Sequence, residues 1–272
     1  MPATPPRSKN LIRVWLRGTL APLSFGVGLL LFWQLAVTWY DVPHYVLPSP
    51  VRIAEALVED WRTLAGSLVS TLWVTFQALF FAITLGVGLA VIFTQSRWLE
   101  RSLLPYVIVL QVTPVVSLAP LIIIWVGDIN TSLLICAWLV AFFPILSNTM
   151  LGLHSADHNL VDLFEVYGAT RWQKLVLLRL PSAMPYFLGG LKISGGLALI
   201  GAVVAEFVAG TGGVGSGLAF RILESGYQLR IPRMFAALIL ISVTGVLIYL
   251  ATTWVSWMIL RKWHDSAVKR EI

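Results

Sequence analysis

Charged side chains are scarce in this chain of 272 residues, because Asp, Glu, Lys and Arg together make up only 12% of it. A soluble domain usually carries about twice that fraction. Cysteine is nearly absent as well. The single Cys136 lies in an apolar run, so an internal disulfide is excluded and a buried apolar role is expected. These shortages exclude a disulfide framework and argue against a soluble fold.

Residues that carry catalysis or bind metals are also few. The four histidines are scattered, and no acidic or cysteine partner completes a metal site around His154 and His158. None of the five lysines follows a glycine, which excludes the Gly-Lys-Ser/Thr loop that binds phosphates. A basic groove with interleaved aromatic residues is missing too. The sequence therefore predicts no metal site, no bound cofactor, no enzyme activity and no nucleic-acid partner.

What the chain has in abundance is long apolar runs, and its mean hydropathy is +0.83. Runs of 18 or more apolar residues predict membrane-spanning helices, because backbone polar groups must pair within the segment in lipid. We expect an all-α membrane protein with about six spans, at residues 22–40, 68–94, 103–126, 133–150, 185–208 and 234–260.

The predicted organisation follows from these spans. We expect a cytoplasmic N-terminal segment (1–21), then a first transmembrane helix with an extracytoplasmic amphipathic segment (22–66), and then a core of five transmembrane helices (67–260). A cytoplasmic loop (151–182) lies within that core, and a cytoplasmic tail (261–272) follows it. Fourteen of the nineteen Lys and Arg residues fall on the predicted inner side, which favours an N-in, C-in orientation.

Polar residues inside the spans are candidates for a translocation pathway. The third span contains three prolines, and the kinks that they cause are tolerated where the backbone is buried or lines a wet cavity. Gln111 and Thr113, beside Pro114, are therefore candidates, as is Asn148, although interhelical hydrogen bonding explains such residues equally well. Glu206 could face the pathway, organise the outer loop, or pair with Arg221 or Arg230, and pathway contact and structural pairing have equal weight.

The cytoplasmic loop has the pattern of a helical hairpin. Its first helix has an apolar face at Leu160, Leu163, Phe164 and Tyr167. Gly168 is suited to end that helix. The four residues from Thr170 to Gln173 have capping-box spacing and start a second helix, which we expect Pro181 to stop. The pattern alone fits either a lipid-facing loop or a docking element.

The same loop resembles the cytoplasmic signature of binding-protein-dependent ABC importer permeases, which reads Glu-Ala-Ala, three residues, Gly, nine residues, Ile, one residue, Leu-Pro. Leu163 and Phe164 replace the two alanines of that signature, which affects the detail of the docking surface. The other signature positions are occupied by Asp162, Gly168, Leu178, Leu180 and Pro181.

The resemblance extends along most of the chain. The segments "LPSPVRIAEAL", "GATRW" and "VVAEF" look like the branch that imports nitrate, sulfonates and taurine, whereas "RILESGYQLRIPRMFAAL" looks closer to permeases for heterocyclic vitamin precursors. The resemblance implies a type I importer (MetI-like) fold with cytoplasmic coupling helices, in the bacterial cytoplasmic (inner) membrane. The residues implied to contact the ATPase are Asp162, Glu165, Gly168, Ala169, Thr170, Arg171, Leu180 and Pro181.

The implied function is that of a permease subunit. It would form the translocation pathway for a small organic or anionic solute of the nitrate, sulfonate or taurine type. The alternative is the same role for a pyrimidine- or flavin-type vitamin precursor. The implied partners are a cytoplasmic ABC ATPase dimer that hydrolyses ATP, an extracytoplasmic solute-binding protein and a second copy of the permease. A stand-alone secondary transporter would need paired intramembrane carboxylates or inverted repeats, and neither is evident.

Overall fold

The computed structural model describes residues 8–210 and 215–261, with side chains described from Ser24 onward. Every regular element in these ranges is helical. The elements are α1 (Ser8–Trp39), α2 (Pro50–Glu59), α3 (Trp61–Gln95), α4 (Arg97–Val112), α5 (Val115–Val126), α6 (Ile129–His154), α7 (His158–Val166), α8 (Arg171–Lys174), a π-helical segment (Leu175–Arg179), α9 (Leu180–Ala209), α10 (Leu218–Tyr227) and α11 (Ile231–Leu260).

Among the described residues, four stretches of helix are long and apolar enough to cross a membrane: α3, α6, the run Arg171–Ala209 and α11. The pair α4 and α5 makes a fifth if the two helices form one broken span. The predicted first span coincides with the second half of α1 except for Tyr40, and the described apolar part of α1 is Ser24–Trp39. The expected all-helical membrane fold is confirmed. Residues 1–7 of the predicted N-terminal segment, and all of the predicted tail except Arg261, lie outside the described residues.

The predicted third span is not one kinked helix. It is broken between α4 and α5, whose axes differ in direction by 101°. Thr113 is extended, with ψ at 124°, and Pro114 precedes the first residue of α5. A residue before proline is driven out of the helical region by the proline ring, which explains why the helix stops here. Pro105 and Pro120 are accommodated inside α4 and α5.

The expectation that Pro181 stops a helix is wrong. The helix that starts at Arg171 runs on to Ala209. In the π-helical segment the Leu180 N–H donates to the carbonyl of Leu175, five residues back. This wider turn lies directly before Pro181 and relieves the clash that a proline ring makes with the preceding turn. The Ser182 hydroxyl donates to the Leu178 carbonyl at 2.9 Å and satisfies one of the backbone acceptors there.

The chain divides into two compact units by its contacts. The smaller contains α1, α2 and Ser225–Ala236. Within it, the Trp33 and Phe235 rings lie 6.2 Å apart, and an Arg233 nitrogen is 3.7 Å from an Asp60 carboxylate oxygen. Ser49 caps α2, and Pro50 occupies its first turn, which agrees with the ordinary preferences of those residues.

The larger unit comprises Arg62–Glu224 and the part of α11 after Ala236. Its centre is the packing of α6 against α9. A Cβ atom on Gly190 would lie 2.8 Å from the Pro144 carbonyl oxygen, and one on Gly201 would lie 2.9 Å from Ala137 Cα. Ser194 donates to the Ala141 carbonyl at 2.7 Å across the same contact. Small residues and interhelical hydrogen bonds are how membrane helices pack closely, since lipid offers little hydrophobic driving force.

Candidate functional site

The cytoplasmic loop predicted from the sequence forms a hairpin with a tightly defined turn. Gly168 has φ at +69°, the left-handed conformation that glycine adopts without strain. The Ala169 N–H donates to the Phe164 carbonyl, and the Gly168 N–H donates to the Glu165 carbonyl, both at 2.9 Å. This pair of bonds is a Schellman motif, which ends α7 and reverses the chain.

The second helix of the hairpin starts with a complete capping box. The Gln173 N–H donates to the Thr170 hydroxyl at 3.3 Å, and the Thr170 N–H donates to the Gln173 side-chain oxygen at 2.8 Å. Two backbone donors that a helix start leaves unpaired are thereby satisfied. The Thr170–Gln173 spacing in the sequence predicts this start, and the structure has it.

An ion pair connects the two arms of the hairpin, and the sequence pattern did not reveal it. The Lys174 ammonium lies 2.7 Å from a Glu165 carboxylate oxygen, nine residues earlier in the chain. The hydrogen bond from Lys174, together with its charge, lowers the pKa of Glu165 below its ordinary value. The carboxylate therefore stays ionised at neutral pH and holds α7 against α8.

The hairpin presents a surface with both apolar and charged groups. No residue of α7 is buried, and Val166 and Tyr167 are 84% and 81% exposed. Large exposed apolar side chains of this kind mark interaction surfaces when they cluster. Of the predicted contact residues, Ala169, Leu180 and Pro181 are half-buried, and those that are exposed are Asp162, Glu165, Gly168, Thr170 and Arg171.

The π-helical segment connects this surface to the interior of the larger unit. Leu175 is buried in its main apolar cluster, which also contains Leu153 and Ala183, and Leu178 is buried as well. Val176 and Leu177, between them, are exposed. The segment is therefore anchored on one side while the hairpin that precedes it stays accessible.

A cleft of about 430 Å³ lies at the break between α4 and α5. Gln111 and Thr113, both predicted pathway residues, are among its lining residues. The Thr113 hydroxyl donates to the Val109 carbonyl at 2.7 Å, at the point where helix α4 ends. The opposite walls come from α6 and α9 and are mainly apolar, at Leu139, Val140, Phe143, Leu197, Ile200 and Val204.

Asn148 and Glu206 do not line this cleft. The Asn148 amide donates to the Pro144 carbonyl at 2.9 Å, next to Gly190, in the α6–α9 contact. Glu206 is 4% exposed, and its oxygens accept hydrogen bonds from the Thr71 hydroxyl and the Ala219 N–H. The contacts of Glu206 favour the structural alternative, with these partners in place of an arginine.

Arg221, one of the two arginines considered for Glu206, has other partners. It forms an ion pair with Glu224 at 2.9 Å and donates to the Ser67 hydroxyl at 2.9 Å. The contact of Glu206 with Thr71 joins residues 135 positions apart, so no spacing rule could have found it. A glutamate near the end of an apolar span was the only signal in the sequence that pointed to this site.

Comparison with known proteins decides the family. Residues 82–258 match the family model described as "Binding-protein-dependent transport system inner membrane component". The chain belongs to this family. It is an inner-membrane permease component of an ABC importer and not an enzyme, since a separate subunit hydrolyses ATP. It works with an ATPase and a solute-binding protein, as the resemblance implies.

Curated relatives of this permease have several solutes in their names. The riboflavin transport system permease protein RibX of Chloroflexus aurantiacus is 36% identical over 88% of each chain. The formylaminopyrimidine transport permease protein ThiX of Halalkalibacterium halodurans is 33% identical, over 84% of this chain and 90% of its own. The putative aliphatic sulfonates transport permease protein SsuC of Bacillus subtilis is 30% identical, over 86% and 82%.

A solved structure supports the fold. The permease resembles a chain from inward-facing MetNI, a methionine ABC transporter, with a TM-score of 0.62 and 20% identity. The match covers 73% of this chain and 96% of the other. At that identity the likeness bears on the fold alone, and it agrees with the expected type I importer permease.

Proposed function

We propose that two copies of this permease form the pathway for a small organic or anionic solute of the nitrate, sulfonate or taurine type. The hairpin of each copy docks into one subunit of a cytoplasmic ATPase dimer, and both chain ends lie in the cytoplasm. An extracytoplasmic binding protein delivers the solute to the opposite side. The 30% identity with the sulfonate permease SsuC, over most of both chains, supports this class of solute.

One observation carries the coupling role. A single helical run, Arg171–Ala209, starts in the exposed hairpin and supplies one wall of the cleft at Leu197, Ile200 and Val204. A run of this length spans on the order of 55 Å at 1.5 Å per residue. Because the turn at Gly168 is locked by hydrogen bonds, a displacement imposed on the hairpin is passed along this helix to the cleft.

The permease itself is proposed to bind no nucleotide or other cofactor. None of its five lysines follows a glycine, so the loop that would hold phosphates is missing from the sequence. The polar groups proposed to meet the solute are Gln111 and Thr113, which line the cleft. Glu206 and Asn148 support the surrounding helices.

The experiment that tests the coupling role changes Gly168. A Cβ atom at this position would meet nothing within 4 Å in the described structure, so a side chain there projects from the hairpin. We expect Gly168→Arg to abolish uptake in proteoliposomes that contain the permease, its ATPase and its binding protein. Gly168→Asn is the matched control, because asparagine tolerates positive φ and is small. Wild-type uptake by the arginine variant, at equal membrane levels, would contradict the proposal.

A heterocyclic vitamin precursor is the second candidate solute. The observation in its favour is the identity of 36% and 33% with permeases named for riboflavin and formylaminopyrimidine. Calorimetry on the cognate binding protein separates the two candidates. Binding of taurine or an alkanesulfonate, with no binding of riboflavin or a formylaminopyrimidine, is the expected result. The reverse pattern would replace the first candidate with the second.

A further inference from the structure

Three hydrogen bonds join α3, α9 and the start of α10 in a short chain. The Leu218 N–H donates to the Thr71 hydroxyl oxygen at 2.9 Å. The Thr71 hydroxyl in turn donates to one Glu206 carboxylate oxygen at 2.8 Å, and the Ala219 N–H donates to the other at 3.1 Å. The carboxylate on α9 thus accepts one hydrogen bond directly from the backbone of α10. It is connected to a second backbone N–H of α10 through the Thr71 hydroxyl on α3. We call these four residues the α10 clasp.

The clasp is shielded from solvent. Thr71, Leu218 and Ala219 are fully buried, and Glu206 is 4% exposed. The first N–H groups of a helix have no partner within that helix, and leaving them unpaired in a buried site is costly. A buried carboxylate also needs donors around it. Glu206 and the start of α10 therefore satisfy each other, as a cap supplied by a distant residue.

Gly217 makes this approach possible. A Cβ atom at position 217 would lie 2.0 Å from the Glu206 carboxyl carbon, closer than any real contact. The glycine before α10 is therefore explained by packing against Glu206. Any larger residue at this position must push the carboxylate away from its donors.

Helix α3 holds the same region at two further points. The Arg221 guanidinium donates to the Ser67 hydroxyl at 2.9 Å, one turn along α10. The Ser70 hydroxyl donates to the Gly215 carbonyl, just before α10. Contacts on both sides of Leu218, at Gly215 and Arg221, therefore fix the start of α10 against one face of α3.

We propose that Glu206 is a positioning residue for transport, which ties the start of α10 to α3 and α9 so that the three elements move together. The inference rests on the proposed coupling role, because the helix that carries Glu206 is the one that starts in the hairpin. Movement of that helix is then transferred through the clasp to α10. Without the clasp, the helix moves and α10 does not follow it.

The test compares three variants in the assembled complex. Thr71→Val keeps the shape of the side chain and removes its hydroxyl, whereas Thr71→Ser keeps the hydroxyl and is the matched control. Glu206→Gln keeps the shape of the carboxyl group but replaces one of its two acceptor oxygens with an NH₂ group. That group then faces a donor, either the Thr71 hydroxyl or the Ala219 N–H, and one hydrogen bond is lost. We expect Thr71→Val and Glu206→Gln to lose about tenfold or more of binding-protein-stimulated ATP hydrolysis and of uptake. Basal ATP hydrolysis is expected to stay unchanged in all three.

A second readout reports the clasp itself. Ile222 on α10 is 8% exposed, so a cysteine there is protected, and Cys136→Ser removes the native thiol. With Ile222→Cys in place, a membrane-impermeant maleimide should label Thr71→Val and Glu206→Gln about fivefold or more faster than Thr71→Ser. This assay needs only the inserted chain, so it gives a result even for a variant that fails to assemble with the ATPase.

The outcomes separate the inference from the proposed function. Equal labelling and equal stimulated hydrolysis in Thr71→Val, Glu206→Gln and Thr71→Ser would overturn the positioning role. Faster labelling with unchanged stimulated hydrolysis would overturn it too, because the clasp would then exist without a part in transport. Failure of the proposed function would give a different result. The complex of the wild-type permease with its ATPase and binding protein would then assemble but take up no solute.

Discussion

At the scale of single residues, the ion pair between Glu165 and Lys174 adds to the hydrogen bonds that hold the hairpin. The pKa of Glu165 is lowered by the Lys174 hydrogen bond and charge. A carboxyl group whose pKa is lower in the folded state stabilises that state above its ordinary pKa, 4.5 for this group. The stabilisation is lost as the pH falls through the lower, folded-state pKa.

This linkage predicts a pH dependence for the turn. Hydrogen exchange at the amides of residues 168–174 should be slower in the wild-type permease than in Glu165→Gln at pH 6. The difference should shrink below pH 4.5 and vanish once the carboxyl group is protonated in the folded state. The effect is modest, because exposed ion pairs are screened by solvent. Identical exchange in the two proteins at pH 6 would mean that the ion pair does not hold the turn.

At the scale of elements, the α6–α9 contact depends on glycines that allow close approach. Gly190 faces the Pro144 carbonyl and Asn148, whereas Gly189, its neighbour, has nothing within 4 Å of a Cβ position. Substitutions at these two residues therefore test the α6–α9 contact, because only a side chain at position 190 would meet α6.

We expect Gly190→Ala to destabilise the solubilised permease by about 1–3 kcal/mol, because the new methyl group forces α6 and α9 apart. Gly189→Ala should be neutral or stabilising by up to about 1 kcal/mol, since alanine favours helix more than glycine does. Thermal unfolding in detergent measures both. If the two variants unfold at the same temperature, the α6–α9 contact is not set by Gly190.

The π-helical segment gives a second prediction at this scale. Deletion of Val176 removes the extra residue of the wide turn and forces Pro181 into a regular helix interior. The expected cost is about 3 kcal/mol, from the lost backbone bond and the ring clash. Adding Pro181→Ala to the deletion should restore most of the stability. If the double variant is no more stable than the deletion alone in the same thermal unfolding experiment, Pro181 is not the reason for the π-helical turn.

The elements were predictable to different degrees, for physical reasons. Hydropathy located the spans because lipid requires long apolar runs, and the hairpin turn was predictable because Gly168 and Thr170 act on neighbouring backbone groups. The break at Pro114 was expected only as a kink, since a proline does not by itself fix the angle between two helices. The π-helical turn and the clasp of Glu206 with Thr71 depend on tertiary contacts, which local sequence patterns do not encode.

At the scale of the whole molecule, the proposed function requires a membrane helix that is moved from one end. In the proposed mechanism, the hairpin receives the motion, the π-helical segment connects it to the interior of the larger unit, and the run to Ala209 carries the motion past the cleft to the clasp. Each step depends on a separate ATPase that grips the hairpin. The Schellman turn and capping box fix the geometry of the hairpin, and we propose that its exposed apolar residues form the surface that the ATPase binds.

Crosslinking from the hairpin turn tests this central claim most directly. Thr170→Cys in the Cys136→Ser background provides one exposed thiol at the turn, which can carry a short photoactivated crosslinker. In membranes that contain the whole transporter, illumination should yield an adduct between the permease and its ATPase subunit. An adduct with lipid or the binding protein only, or labelling of Thr170→Cys from the extracytoplasmic side, would contradict the account.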